Sequence, residues 1–508
     1  MITEDPVVSG DKTLRDHLGL GPFAWRPVSV VAAAAFTLFL ATNSRYGYHR
    51  DELYFRVLGR HPGWGYVDEP PLTPLLGRAS TALFGDNLWA LRLPAAVTLA
   101  TVAVLIALIC RELGGGRGPQ ILAACVAFTA FPMIGGHTLA TATIDLAVWS
   151  AVILFVTRAL LRDEPRWWLA AGTTVGLGLY NKHLVALLLI GLAVGLLVVG
   201  PRRALRSPWL WGGVVLAVVL GAPNLIYQVV NDWPQLKMAQ ALTENKGADA
   251  RADFLPLQIL MLGPPLVVIW VAGLIRMLRA PQLRPVRALA VAYPVICLLV
   301  LVIGGQPYYT FGLIVTYWAA GCVPVVRWAA GHRWRLGVVG AVVAANAALS
   351  AVIALPVVPE RDLGNTAIPE INQVVRDQVG WPAYVQEIAE VYRTLPDAER
   401  ARSVVVTGNY GEHGAVDRYG PRYGLPAVYS GQNELYYLGP PPDSADVVVL
   451  VVQADDAWAG ARFDSCDTRG RLDNRLGVDN EEQQVAIRIC RGPKQPWHDL
   501  WPRFQHYD

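Results

Sequence analysis

Long apolar runs constrain the fold of this chain more than any other feature of its sequence. Runs of roughly 17 to 24 residues, the length that a helix needs to cross the hydrocarbon layer, recur as far as Pro356 and then stop. The 508 residues are 53% hydrophobic and only 16% charged, which leaves too little polar surface for a soluble protein of this length. Most of the chain is therefore predicted to face lipid.

The apolar runs predict a polytopic α-helical membrane protein with about eleven transmembrane helices. We place these spans near 27–44, 88–111, 119–134, 139–161, 167–181, 183–200, 209–229, 255–278, 287–304, 308–327 and 334–356. The segment 230–254 between two of them is polar and rich in Gln, and it is interpreted as a mobile loop.

Basic residues gather in alternate connections between the spans, and cytoplasmic loops carry the excess of Lys and Arg. The basic connections hold Lys12, Arg15 and Arg26, then Arg111 and Arg117, Arg158, Arg162 and Arg166, Arg202, Arg203 and Arg206, Arg276, Arg279, Arg284 and Arg287, and finally Arg327, Arg333 and Arg335. This bias predicts that the segment 1–26 is cytoplasmic. The segment also lacks the pattern of a cleavable signal. The bias also predicts that the loop 45–87 and residues 360–508 lie outside the cytoplasm.

The loop after the first span contains two pairs of adjacent acids, Asp51-Glu52 and Asp68-Glu69. Carboxylates brought close together repel, so cations, a metal or a bound substrate must hold them. This pattern is typical of a site, although a solvated loop with acids facing water has the same composition. Short helices along the membrane surface are predicted over 50–60 and 69–84, the second entered through Pro70-Pro71.

Several polar residues interrupt the apolar runs on the same side as this loop. Asp145 lies inside the fourth span, where an unpaired acid costs a few kcal/mol, and Lys182-His183 separate two spans. Arg92 lies near the outer end of the second span. Each cation has a second interpretation, as an anchor whose head reaches the interface, but their common side favours a shared cavity. Tyr308 and Tyr309 begin the tenth span, where aromatic-belt and substrate-stacking roles have the same pattern.

The composition changes after Pro359 to that of a soluble domain, 360–508. Strands are predicted at 403–408, 426–430, 446–453 and 483–490 and helices at 381–395 and 411–419, which together indicate a small α/β domain. Cys466 and Cys490 lie in this domain, and an oxidising compartment favours a disulfide between them. The motif GNYGEHG follows a strand but lacks the pattern of a phosphate loop.

These motifs, taken in order, resemble those of a known enzyme family. The motifs are Asp51-Glu52 after the first span, DEPPL at 68–72, RLP at 92–94, Asp145, and NKH at 181–183. In this order the chain resembles C-type membrane glycosyltransferases, in the group of protein O-mannosyltransferases and aminoarabinose lipid A transferases. The likeness is best over the first 200 residues, and GNYGEHGAVDRYG and LPAVYSGQN resemble the extracytoplasmic domains of bacterial members.

The resemblance implies transfer of a sugar from a polyprenyl phosphate carrier to an acceptor hydroxyl at the outer face of the bacterial inner membrane, with inversion, in cell-envelope synthesis. It implies Asp51 as the general base, with Glu52 beside it. The donor and its phosphate would contact Arg92, Lys182, His183, Asp145, Tyr308 and Tyr309. The family often has Lys or His where this chain has Glu69, so a divalent metal (Mg²⁺, Mn²⁺ or Ca²⁺) at Asp68 and Glu69 is predicted to bridge to the phosphate.

Two other classes of protein fit part of the same pattern. In a lipid or solute transporter, Asp145 and Lys182 would line the translocation path, although the charges gather at one face and no inverted repeat is evident. A scaffold for cell-wall assembly, with an extracytoplasmic binding domain, fits if the loop acids are dispensable. The sequence specifies neither the sugar nor the acceptor, which is a lipid, a polysaccharide or a protein, and it gives no sign of a nucleic-acid partner.

Overall fold

The computed structural model describes residues 20–508, so most of the predicted cytoplasmic segment, with Lys12 and Arg15, lies outside the described residues. The first part of the chain is helical. Its helices are α1 (Trp25–Thr42), α2 (Arg50–Leu58), α3 (Leu72–Phe84), α4 (Leu88–Glu112), α5 (Arg117–Ala124), α6 (Ala130–His137), α7 (Thr141–Leu161), α8 (Trp167–Gly178), α9 (Val185–Val198), α10 (Pro208–Val230), α11 (Pro234–Leu260), α12 (Val267–Arg279), α13 (Arg287–Ile303), α14 (Phe311–Ala329) and α15 (Arg333–Ala354).

Within the described residues, seven helices are long and apolar enough to cross a membrane, and nine spans result if two bent pairs each count as one. The bent pairs are 117–128 with Ala130–His137, at 58°, and Pro234–Leu260 with 264–279, at 69°. The predicted spans near 167–181 and 183–200 are the helices α8 and α9, of 12 and 14 residues. Each is shorter than the ~20 residues of a full span, so these two helices are not among the seven to nine spans counted by length and composition.

The segment 230–254 is also not the loop that its polarity predicts. It forms most of α11, a helix of 27 residues that begins at Pro234 and ends at Leu260. Polar residues are compatible with a helix that runs outside the hydrocarbon layer, where its exposed face meets water. Gln258, near its end, is buried and donates to the carbonyl of Pro307.

The second part of the chain is a small α/β domain, as predicted. It contains α16 (Ile368–Ile371), α17 (Gln373–Arg376), α18 (Trp381–Arg393), α19 (Asp397–Arg400), β1 (Ser403–Thr407), α20 (Tyr410–Tyr419), β2 (Val428–Ser430), β3 (Val447–Val451), α21 (Asp456–Gly460), β4 (Phe463–Arg471), β5 (Ala486–Pro493) and α22 (Trp497–Leu500). The strand order is β2-β1-β3-β5-β4, with β1 parallel to β2 and β3, and β5 antiparallel to β3 and β4.

The strand β4 was not predicted, because its sequence FDSCDTRGR is polar and most of its side chains are exposed at the edge of the sheet. Charged side chains are common on edge strands, where they discourage pairing with other chains. Cys466 on β4 lies directly opposite Cys490 on β5, and the two form the predicted disulfide.

The helix α2 packs into the core of the C-terminal domain. Its Leu53 and Phe55 belong to the same buried cluster as Trp381 of α18 and Val405 of β1. Gly414 on α20 makes this contact possible, because a Cβ atom there would lie 2.7 Å from the Cβ of Leu53. The acid-rich loop is therefore fixed between the helical bundle and the C-terminal domain.

Candidate active site

Asp51 lies in the first turn of α2, which begins with an unusual cap. The ring of His49 accepts a hydrogen bond from the backbone N–H of Asp51, and Glu52 reaches back to the backbone N–H of His49. Such a reciprocal box satisfies two of the backbone donors that the start of a helix leaves unpaired. The side chain of Asp51 is 36% exposed, so the cap holds its backbone while the carboxylate stays accessible.

Glu52 is fully buried, and each of its oxygens accepts two hydrogen bonds. Its carboxylate pairs with the guanidinium of Arg92 through two contacts of 2.8 Å, and it also accepts from the backbone N–H groups of His49 and Leu139. A carboxylate with this set of partners has no free lone pair for a reacting proton. The structure therefore corrects the predicted catalytic role of Glu52, which holds the loop against the bundle.

The predicted role of Arg92 as a phosphate ligand changes for the same reason. Its side chain is fully buried, and its remaining N–H groups lie against the carbonyls of Asn43, Arg45 and Gly47 and the ring of His137. All five donors of the guanidinium are occupied, so none is left for a donor phosphate. Arg92 is neither the predicted phosphate ligand nor an anchor at the interface, but the partner of a buried ion pair.

Asp68 and Glu69 lie on the other side of Asp51. Asp68 accepts hydrogen bonds from the hydroxyl of Tyr54 and the amide of Asn433, both at 3.1 Å, and burial raises its pKa to about 6. Burial, followed by the charges of Asp68 and Asp51, raises the pKa of Glu69 well above its usual range. One oxygen of Glu69 is buried without a hydrogen-bond partner. These acids thus share a site that penalises their negative charge.

The predicted metal was assigned to Asp68 and Glu69. Among residues 20–508, no three His, Cys, Asp or Glu side chains lie in an arrangement that could hold a metal ion. Both oxygens of Asp68 already accept hydrogen bonds from protein groups. This donor set does not fit a protein-held Mg²⁺, Mn²⁺ or Ca²⁺, which takes six or more oxygen ligands. The metal stays a prediction, and no catalytic step below uses it.

Lys182 lies in the connection between α8 and α9, beside two aromatic rings. Its Nζ is 3.4 Å from the hydroxyl of Tyr308 and lies over the rings of Tyr308 and Tyr309, at 5.4 and 5.3 Å from their centres. Asp145 is close enough to interact with this ammonium, and it lines a narrow cavity of about 20 Å³ with both tyrosines. The structure brings these four predicted residues together.

The side chain of His183 contacts Asn224 and not the cluster around Lys182. Its ring nitrogen is 2.8 Å from the side-chain oxygen of Asn224, and the amide of Asn224 donates to the carbonyl of Trp64. His183 thus supports the loop between the two acid pairs and is separate from the Lys182 cluster.

The match with known proteins agrees with this arrangement. The family model described as dolichyl-phosphate-mannose-protein mannosyltransferase matches residues 68–227, a range that includes Asp68, Asp145 and Lys182. The structure of ArnT from Cupriavidus metallidurans bound to undecaprenyl phosphate superposes with a TM-score of 0.59 and 17% identity, over 90% of this chain and 97% of that chain. Its apo state gives 0.59 and 16% over 91% and 97%. The chain has the fold of the ArnT structures, and its residues 68–227 match a mannosyltransferase family.

The predicted resemblance is therefore confirmed at the level of the fold. The ArnT structures support this architecture over nearly the whole length of the chain, and the family model supports the class of enzyme over the segment that it covers. No curated protein sequence matches the chain.

Four residues that contact the acid pairs or the loop beside them were missed from the sequence. Tyr54 lies on α2, whereas Tyr410, Asn433 and Glu434 come from the C-terminal domain. Glu434 accepts from the backbone N–H of Val67 at 2.9 Å, and burial raises its pKa to about 7. The motifs GNYGEHG and SGQN contain or adjoin these residues, so the signal was present, but nothing in the sequence alone placed them near the loop.

Proposed function

We propose that this enzyme transfers a sugar from a polyprenyl phosphate carrier to an acceptor hydroxyl at the outer face of a bacterial inner membrane. One observation carries the proposal: the accessible carboxylate of Asp51 and the ammonium of Lys182 beside Tyr308 are both near enough to Glu69 to affect its charge. A carboxylate and a cation are therefore both close to one buried acid. The matched family acts with a dolichyl phosphate sugar, and ArnT of C. metallidurans binds undecaprenyl phosphate, which supports a polyprenyl phosphate donor here.

In the proposed reaction Asp51 takes the proton of the acceptor hydroxyl as its oxygen attacks the anomeric carbon. The bond from that carbon to the phosphate oxygen breaks, and the phosphate leaves with the electron pair. Because the attack comes from the face opposite the leaving phosphate, one displacement inverts the anomeric centre. The narrow cavity beside Asp145 must widen to admit a sugar, since its present volume is close to that of a single water.

Lys182 is the cation assigned to the donor phosphate. Charge that develops on a leaving phosphate is stabilised best by a group already held in place, and Tyr308 and Tyr309 hold the ammonium between them. Asp145 interacts with the same ammonium and keeps it oriented. Envelope glycan, glycolipid and glycoprotein synthesis all use this reaction, so the acceptor is a polysaccharide, a lipid or a protein.

Incubation of the purified enzyme with a panel of radiolabelled polyprenyl phosphate sugars tests this function through consumption of the donor. We expect Lys182→Ala to lower both donor binding and turnover, by about 10²-fold or more in kcat/KM. The matched control is Lys237→Ala, since Lys237 is exposed on α11 and should leave both unchanged. Failure of the wild-type enzyme to consume any donor would overturn the proposed reaction, and unchanged donor affinity in Lys182→Ala would overturn the role of Lys182 alone.

The outer location rests on the bias of Lys and Arg towards the opposite connections. The candidate site and the C-terminal domain lie on one side of the bundle, because α2 packs into the core of that domain. Single cysteines introduced at exposed positions of this domain, such as Asp464, are expected to react with a membrane-impermeant reagent in intact cells. A cysteine at Arg203, in an opposite connection, serves as the control and should react only after lysis. The reverse pattern would place the site in the cytoplasm.

A further inference from the structure

The C-terminal domain reaches the reacting acid through one side chain, Tyr410. The hydroxyl of Tyr410 donates to one carboxylate oxygen of Asp51 at 2.9 Å. The two residues are 359 positions apart in the sequence and belong to different parts of the fold. The helix that begins with Tyr410 thus contributes directly to the environment of Asp51.

Tyr410 is held from several directions. Its ring stacks on Tyr54 with the ring centres 4.8 Å apart, and the guanidinium of Arg50 lies 5.0 Å from the centre of its ring. Its backbone N–H donates to the side chain of Gln432 at 2.7 Å. Asn409 and Glu412 cap the start of its helix reciprocally. A tyrosine that served only to fill space would not need its backbone, ring and hydroxyl fixed together.

The contact leaves the second oxygen of Asp51 available. That oxygen lies 3.7 Å from the ring of His49, and the side chain is 36% exposed. One oxygen is therefore fixed by Tyr410, and the other is left for an acceptor hydroxyl. The charged groups that surround the pair are Arg50, Asp68 and Glu69.

We propose that Tyr410 is a positioning residue for the transfer reaction: it orients the Asp51 carboxylate and stabilises its charged form. This inference rests on the proposed function, in which Asp51 is the base. During the step the proton of the acceptor moves to the second oxygen of Asp51, while the hydroxyl proton of Tyr410 stays on Tyr410. The C-terminal domain is then a part of the catalytic site and has a role beyond recognition of the acceptor.

The test compares the pH profiles of wild type and Tyr410→Phe, which keeps the ring and removes the hydroxyl. A hydrogen bond donated to a carboxylate favours its charged form, so its loss should move the acidic limb of the kcat/KM profile upward by about one pH unit. We expect kcat to fall about tenfold and the KM for the donor to stay the same, because the hydroxyl acts on the base and leaves the donor site intact.

Tyr384→Phe is the matched control. It removes a buried hydroxyl that bonds Asn480 and Asn474 within the same domain, away from Asp51, so it should lower the stability of the domain and leave the pH profile in place. An unchanged limb and kcat in Tyr410→Phe would overturn this inference while the proposed function stands. Failure of the wild-type enzyme to consume any donor would instead remove the proposed function itself, and the two failures are distinct.

Discussion

Asp51→Asn is expected to abolish sugar transfer while the protein still folds. The substitution keeps the shape of the side chain and the acceptor oxygen that faces Tyr410, but it removes the base. Loss of a general base lowers kcat by about 10²–10⁴-fold. Donor consumption by purified protein measures the effect, and size-exclusion behaviour in detergent checks the fold.

Asp86→Asn provides the comparison for Asp51→Asn. Asp86 is an acid on the same side of the bundle, with a side chain that is 53% exposed and paired with Arg56 and Arg418. Asp86 is not one of the acids of the site, so this variant should transfer sugar nearly as well as wild type. Near-full activity in Asp51→Asn would move the base to Asp68 or Glu69, the remaining acids of the site.

Arg92→Ala is expected to have the largest effect on stability. Arg92 and Glu52 are both fully buried, so removal of the cation leaves a buried carboxylate without its partner. Breaking such a pair costs about 3–5 kcal/mol, which is a large share of the roughly 5–15 kcal/mol that keep a domain folded. Thermal unfolding in detergent should show a marked fall in the midpoint, together with loss of monodisperse protein.

Two further variants separate the buried charge from a general effect of losing Arg. Arg203→Ala removes one partner of a pair with side chains that are 74% and 76% exposed, so it should change the stability by only about 0–1 kcal/mol. The double variant Glu52→Gln with Arg92→Met removes both buried charges and should recover part of the loss. Equal unfolding midpoints for Arg92→Ala and Arg203→Ala would show that the pair contributes little.

The sequence was most informative where a local pattern determines the structure. The lengths of the apolar runs predicted most of the spans, and alternation and turn residues predicted four of the five strands. The strand β4 was missed because an edge strand needs no apolar face. The segment 230–254 was wrongly predicted as a loop. Its polarity indicates that it contacts water and not lipid, but polarity does not indicate whether a segment is a helix or a loop.

The candidate site was predicted only in part, for a related reason. Asp145 and Lys182 stand out because charge near lipid is costly wherever it occurs, and Asp51 and Asp68 stand out because adjacent carboxylates repel each other. Whether a charge is free or already paired depends on contacts between distant segments. Arg92 and Glu52 are 40 residues apart and neutralise each other, and no pattern in either segment indicates that pairing. Tyr410 was missed because its partner is more distant still.

The shared core of α2 and the C-terminal domain affects when the enzyme becomes active during its synthesis. The acid-rich loop is made early and the residues that fix it are made last, so the loop emerges without Tyr410, Asn433 and Glu434. Contacts between such distant segments form late because the intervening chain must first be ordered. A nascent chain thus holds its lipid-embedded helices and Asp51 before it holds the residues of the C-terminal domain that contact Asp51 and its loop.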